Sequence, residues 1–269
     1  MRTVDREPGI LYYAICFIDE YSTPGIIVAL REEFQKTGNW LFRWRSYLPL
    51  LLLCLFVVGF FDVSMKGGAN SRTLGWEFGC FAVALFGLAI RVLAAGFAPR
   101  GTSGRHTLRQ EAKRLNTSGM YSLVRHPLYL GNGIIWLGIA LYTHVWWVVV
   151  ISMLAFWLYY ERIMFAEEEF LRQQFGGEFE RWAGQTPAFL PRITNWVPPD
   201  RVFSWKKVLK YESPTLFLIT ASITFLDVLG DSIIAGTVDI HRAWIVALLL
   251  TFVFYIVIRF LRKATRILS

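Results

Sequence analysis

Apolar blocks separated by short charged stretches set the pattern of this chain. Residues 47–65 read YLPLLLLCLFVVGFFDVSM, and residues 74–98 continue in the same way with one arginine, Arg91, near the far end. Residues 129–160 form a longer block, enough for two short crossings that turn near Thr143 and His144. Residues 214–229 and 243–261 complete the series. A bilayer core is ~30 Å thick and takes ~20 mostly apolar residues in a helix. Lipid offers no partner to backbone N–H and C=O groups, so the crossings must be helices. The pattern predicts an all-α, polytopic transmembrane protein of about six spans.

The polar stretches divide the chain further. Residues 26–44 mix Arg31, Lys36 and Arg43 with aromatic and aliphatic residues, which predicts interfacial helices on the cytoplasmic face within an N-terminal segment 1–46. Residues 47–98 hold the first two spans, 99–212 a core with a helical hairpin, and 213–269 a separate C-terminal hairpin. Residues 105–115 read as a helix. The second helix of the central hairpin runs on through WLYYERIMFAEEEFLRQQFG, beyond the apolar block, until Gly176 and Gly177 stop it. Gly75 and Gly79 form a GxxxG pair of the kind that lets spans pack closely.

Composition sharpens this reading. The net charge is +8, a balance that in a soluble chain would suggest a nucleic-acid partner. With six spans and both termini inside, the exterior segments hold only Lys66, Arg72 and Arg242. Segments 99–128 and 162–212 and the tail are rich in Lys and Arg, as cytoplasmic segments are. The charge is then explained by topology and anionic lipid, and no nucleic acid is expected. The three cysteines, Cys16, Cys54 and Cys80, lack metal-ligand spacing, so neither a disulfide framework nor a metal is expected. The start, MRTVDREPG, carries no apolar run of the kind a cleaved signal needs.

Two stretches carry chemistry. In NTSGMYSLVRHPLYLGN (116–132), a turn at 117–119 leads to Arg125, His126 and Pro127 at the mouth of a span. Proline suits a first helical turn, which places His126 among free backbone N–H groups that favour an anion. Gly131 leaves room for a close approach. In ERIMFAEEEFLRQQF (161–175), Glu161 and Glu168 are two turns apart on one face, with Glu167 and Glu169 beside Glu168. An inward carboxylate there would hold a cation such as an ammonium. The alternative is a solvated stripe paired with Arg162 and Arg172. Both stretches bracket one hairpin, so both reach the same end of it, where a zwitterionic ligand would find both charges.

RHPLYLG, followed after a hairpin by EEEFLRQQFGGEFERW and TPAFLPR, resembles the isoprenylcysteine carboxyl methyltransferase family and its bacterial lipid methyltransferase relatives, over roughly residues 105–192. The resemblance implies S-adenosyl-L-methionine as cofactor, held without a Rossmann fold by Lys113, Arg114, Leu115 and Asn116, by Tyr121, by His126, Pro127, Leu128 and Tyr129 with Gly131, and by Glu167. His106 would touch the adenine end. The eukaryotic members place an arginine four residues before the cofactor-binding acid, where this chain has Ile163 beside Arg162. The spelling around GRHT and YYERIMFAEEEFL is more similar to bacterial members, including lipid A phosphate methyltransferases.

The expected reaction is methyl transfer to a membrane lipid or lipid-linked acceptor, a lipid phosphate such as that of lipid A being favoured, at the cytoplasmic face of a bacterial inner membrane. Arg125 and Arg162 would hold the phosphate, His126 would line the reacting centre, and Glu168 would serve as base for an amine acceptor. Prenylcysteine carboxylate and phosphatidylethanolamine are the alternative acceptors. An NADPH-dependent sterol-type reductase is the alternative enzyme, and a scaffold or transporter the non-enzymatic reading.

Overall fold

The structure, a computed structural model, describes residues 30–44, 52–67, 73–98, 114–236 and 241–264. These form helices α1 (Leu30–Trp44), α2 (Leu52–Met65), α3 (Leu74–Phe97), α4 (Met120–Leu123), α5 (Pro127–Tyr142), α6 (Trp146–Phe175), α7 (Gly177–Gln185), α8 (Trp205–Ile234) and α9 (Arg242–Ala264), with a 3-10 turn at Ile193–Asn195. No strand occurs among the described residues. Helices α3, α6, α8 and α9 are long and apolar enough to cross a membrane, while α2 and α5 are shorter apolar helices. At 1.5 Å per residue, α5 reaches ~24 Å, short of a full ~30 Å core.

The expected hairpin turns where its sequence allows. Helix α5 ends at Tyr142, His144 adopts a left-handed φ of 56°, and α6 starts at Trp146. Trp76 fixes this corner by donating to the Leu141 carbonyl at 3.1 Å and by meeting the His144 ring edge-on at 4.9 Å. At its other end α6 stops at Gly176, whose φ of 51° few side chains tolerate, and whose N–H bonds the Arg172 carbonyl.

The tightest crossing joins α3 to α5. A Cβ on Gly87 would lie 2.6 Å from the Gly131 carbonyl oxygen, and one on Gly138 would lie 2.7 Å from that of Cys80. Glycine at these points lets the two backbones touch, which is how spans gain packing where lipid supplies no hydrophobic drive. The expected pair, Gly75 and Gly79, meets nothing within 4 Å. The small residues that make the contact are spaced seven apart on both helices, Gly131 and Gly138 on α5 and Cys80 and Gly87 on α3.

The last two helices share the main core. Ile219, Ile223 and Leu226 of α8 and Trp244 of α9 are buried with Phe60, Ala84, Leu88, Ile135 and Tyr142. Helix α8 begins at Trp205, nine residues before the apolar block, and carries Pro214 inside it. Its polar first turns are anchored by Ser204 N–H to the Gly96 carbonyl at 2.9 Å and by Lys207 to the Ala98 carbonyl.

Helix α1 is amphipathic, as its sequence indicates, and lies antiparallel to the polar half of α6. Arg31 meets Glu169, Thr37 meets Arg162, and the Leu41 carbonyl accepts from Tyr159, so partner numbers fall as α1 advances. The expected helix at 105–115 falls largely outside the described residues, and the part described, Arg114 and Leu115, is not helical.

Candidate functional site

The polar end of the hairpin is assembled by backbone pairing as well as by helix packing. Gly119, at φ 60°, turns the chain into α4, and its N–H donates to the Val197 carbonyl at 2.9 Å. Arg125 N–H then donates to the Pro187 carbonyl at 2.9 Å, and Arg192 N–H to the Leu123 carbonyl at 2.9 Å. The TPAFLPR stretch is therefore a brace laid along the LVRHP stretch. It satisfies backbone groups that burial would otherwise leave unpaired. Helix α5 starts at Pro127, with His126 as its cap residue, as expected from the proline.

The three neighbouring acids of α6 diverge, because successive helical residues point ~100° apart. Glu167 accepts from the Tyr129 hydroxyl at 2.6 Å. Glu168 meets His126 Nε2 at 2.9 Å and accepts from Arg125 Nε at 2.9 Å. Glu169 turns the other way, to Arg31 at 2.7 Å and Arg172 at 2.8 Å. Glu161 is exposed. Glu167 and Glu168 thus face His126, while Glu169 pairs with Arg172 as the alternative had it, but is buried rather than solvated. His126 is buried and joins the inward acids, its Nδ1 standing 3.8 Å from Glu167.

Aromatic rings wall this cluster. His126 stacks on Tyr129 at 5.7 Å, and Tyr129 packs on Tyr160 at 4.9 Å. Burial pushes the Tyr121 phenol well above its ordinary range, the Glu167 carboxylate adds to that, and Arg91 opposes it. Tyr121 therefore stays a neutral hydroxyl in the same electrostatic environment as Glu167 and Arg91.

Arg91 is the residue that sequence reading passed over. Its Nε and Nη2 hold both oxygens of Glu212 at 2.8 and 2.9 Å, and its Nη1 donates to Asn132 at 2.6 Å. Asn132 in turn donates to the Tyr160 hydroxyl at 3.3 Å. A lone arginine at the end of an apolar block was the available signal, because such a charge in a span calls for a partner.

The two arginines expected to share an acceptor point apart. Arg125 spends its donors on Glu168 and on the carbonyls of Ala183, at 2.7 Å, and Thr186, at 3.2 Å. Arg162 faces α1, donating to Thr37 at 3.2 Å and lying 4.7 Å over the Phe34 ring. Of the other expected residues, Leu115 and Pro127 are buried, Gly131 is pressed by Arg91 and the Gly87 carbonyl, and Leu128 and Asn116 are half-buried. Arg114 turns outward to Asp200 at 3.3 Å. His106 and Lys113 lie outside the described residues.

The hairpin and its polar end coincide with a known domain. Residues 79–178 match the model of the phospholipid methyltransferase family. The cobalt-zinc-cadmium resistance protein CzcN of Cupriavidus metallidurans is 44% identical over 80 residues, 30% of this chain and 37% of that protein. The nickel-cobalt-cadmium resistance protein NccN of Alcaligenes xylosoxydans xylosoxydans is 36% identical over 85 residues, 32% of this chain and 39% of that protein. A probable protein-S-isoprenylcysteine O-methyltransferase of Oryza sativa subsp. indica is 37% identical over 116 residues, 40% of this chain and 58% of that protein. The chain thus aligns with less than two thirds of the length of each of these relatives. No solved structure matches it. Residues 79–178, the segment holding Arg91, His126, Tyr129 and Glu167, are thus similar to the phospholipid methyltransferase family, and the chain shares sequence with isoprenylcysteine O-methyltransferases of plants.

Proposed function

We propose that this chain is an S-adenosylmethionine-dependent O-methyltransferase that acts on an anionic oxygen of a lipid or lipid-linked acceptor. The observation that carries the reading is the convergence of Tyr129, Glu167, His126 and Glu168 at the polar end of the hairpin. S-adenosylmethionine supplies a sulfonium methyl group, which leaves a neutral thioether on transfer. The residues present fit such a cationic, zwitterionic molecule. Glu167 offers a carboxylate for an ammonium, the Tyr129 and Tyr160 rings offer apolar faces, and the α5 N-terminus favours a carboxylate.

The protein's work is binding, orientation and exclusion of water. Tyr129 and His126 fix the carboxylates of Glu167 and Glu168. The brace at 187–192 closes one side of the cluster. An anionic acceptor needs no general base, since a phosphate monoester has its second pKa at ~6 and a carboxylate is ionised at neutral pH. Glu168 is shared by Arg125 and His126, a setting that stabilises its charged form and makes it a poor proton acceptor for an amine. This weighs against phosphatidylethanolamine.

The favoured acceptor remains a lipid phosphate, of the lipid A type. A prenylcysteine carboxylate, the acceptor class named in the rice and Arabidopsis thaliana relatives, shares its anionic oxygen. Lys and Arg placement supports a cytoplasmic site and cytoplasmic termini in a bacterial inner membrane. The test is calorimetry on the purified chain in detergent with S-adenosylmethionine and NADPH, followed by labelled methyl transfer to lipid phosphates, a farnesylated cysteine and phosphatidylethanolamine. Saturable binding of S-adenosylmethionine and label on an anionic lipid are expected. Binding of NADPH alone would replace the reading with a reductase, and label on the amine would overturn the anionic acceptor.

A further inference from the structure

A second cluster of ligating groups lies at the opposite end of the helices. Glu77 stands near the start of α3, fourteen positions before Arg91, and Asp227 lies fifteen positions after Glu212 on α8. Either spacing corresponds to ~21–23 Å along a helix. His241 stands immediately before α9. The ligand atoms of these three residues lie within 4.8 Å of one another.

Three features of the cluster point to a cation. The two carboxylate side chains are only 1% exposed and converge on the half-exposed imidazole of His241. His241 Nδ1 stands 3.8 Å from Glu77 Oε2 and 3.8 Å from Asp227 Oδ2, too far for hydrogen bonds. A point central to those atoms lies roughly 2.2–2.5 Å from each, so shifts of a few tenths of an ångström reach zinc-class bond lengths. Third, both carboxylates are oriented by buried donors, Trp244 Nε1 to Glu77 at 2.8 Å and the Tyr142 hydroxyl to Asp227 at 2.9 Å. Partners of this kind aim metal ligands and tune their affinity.

We propose that Glu77, Asp227 and His241 form a binding site for one divalent cation of the zinc class. The mixed nitrogen and oxygen donors suit Zn2+ or Co2+ better than Mg2+. The His241 side chain is 51% exposed, which gives the ion a route in and leaves positions for water. Bound metal ties α3, α8 and the start of α9 together across more than 160 residues of sequence.

The site is independent of the methyl-transfer reading and is tested on the full chain in detergent, stripped with a chelator. Zn2+ and Co2+ are titrated by calorimetry, and thermal unfolding is followed with Zn2+, with Mg2+ and with neither. One equivalent is expected to bind, with a rise in Tm that Mg2+ does not reproduce. His241→Ala and Asp227→Asn should weaken binding by about tenfold or more and abolish the rise. His241 is half-exposed, so its variant should keep the fold, which an unchanged Tm without metal would verify. Absence of saturable binding, or equal binding by wild type and His241→Ala, would overturn the site and leave the three residues as an ion-paired cluster.

Discussion

Arg91 and Glu212 grip each other through two parallel bonds, at 2.8 and 2.9 Å, between helices α3 and α8. Arg91 lies inside the segment that matches the family, and Glu212 lies beyond it. Both side chains are largely removed from solvent, at 14% and 5% exposure. The pair also holds Asn132 of α5, and through it Tyr160, so a residue outside the family domain steadies the wall of the candidate site.

Removing one member of that pair leaves a buried charge. Glu212→Leu should destabilise the protein by about 3–5 kcal/mol, whereas the double change Arg91→Met with Glu212→Leu should cost much less. Thermal unfolding of wild type, Arg91→Met, Glu212→Leu and the double variant in one detergent makes the comparison. Additive losses would show that the two residues act separately.

Glu167 and Tyr129 should separate in a binding measurement. Glu167→Gln removes the charge that faces a cationic ligand, and about tenfold or weaker S-adenosylmethionine binding is expected. Tyr129→Phe keeps the ring and loses one bond to a charged group, which is worth about 1.5–3 kcal/mol. Its direct effect should fall on the placement of Glu167, so turnover should drop more than affinity. Calorimetry together with initial rates resolves the two.

The two arginines should behave unlike each other. Arg125→Lys cannot serve Glu168 and the carbonyls of Ala183 and Thr186 at once, because a lysine is a point charge rather than a planar fork. A loss of about 1–3 kcal/mol in stability is expected, with activity falling as His126 and the brace lose register. Arg162→Ala should loosen α1 by less than about 1 kcal/mol and leave the acceptor KM unchanged. A large rise in acceptor KM for Arg162→Ala would restore the phosphate clamp expected from the sequence.

Glycines on α3 should divide sharply. Gly87→Ala drives a methyl group into the Gly131 carbonyl, 2.6 Å away, and should destabilise by about 1–3 kcal/mol as overpacking does. Gly75→Ala meets nothing within 4 Å and should stay within about 0.5 kcal/mol of wild type. Tm values for the pair check this. Equal values would place the α3–α5 contact elsewhere.

What the sequence determined by itself was whatever local periodicity and composition control. Apolar block lengths located α2, α3, α5, α6, α8 and α9, His144 marked the hairpin turn, Pro127 started α5, and Gly176 ended α6, because each acts within a few residues of itself. The motif spelling around RHPLYLG and EEEFLRQQFG was enough to show the resemblance to membrane methyltransferases, since it lies in one contiguous stretch. Tertiary structure alone decided which way neighbouring acids point. Glu167 and Glu168 turn into the cluster and Glu169 turns out toward Arg31, a choice set by how α6 is rotated against α1 and α5. It also decided that Arg125 and Arg162 serve different neighbours, that Gly87 and Gly131 rather than Gly75 and Gly79 make the close crossing, and that Arg91 finds Glu212. The same holds for Glu77, Asp227 and His241, whose spacing follows no local motif. Pairings across 120 or more residues depend on helix rotation and register, which many distant contacts fix together and no short segment encodes.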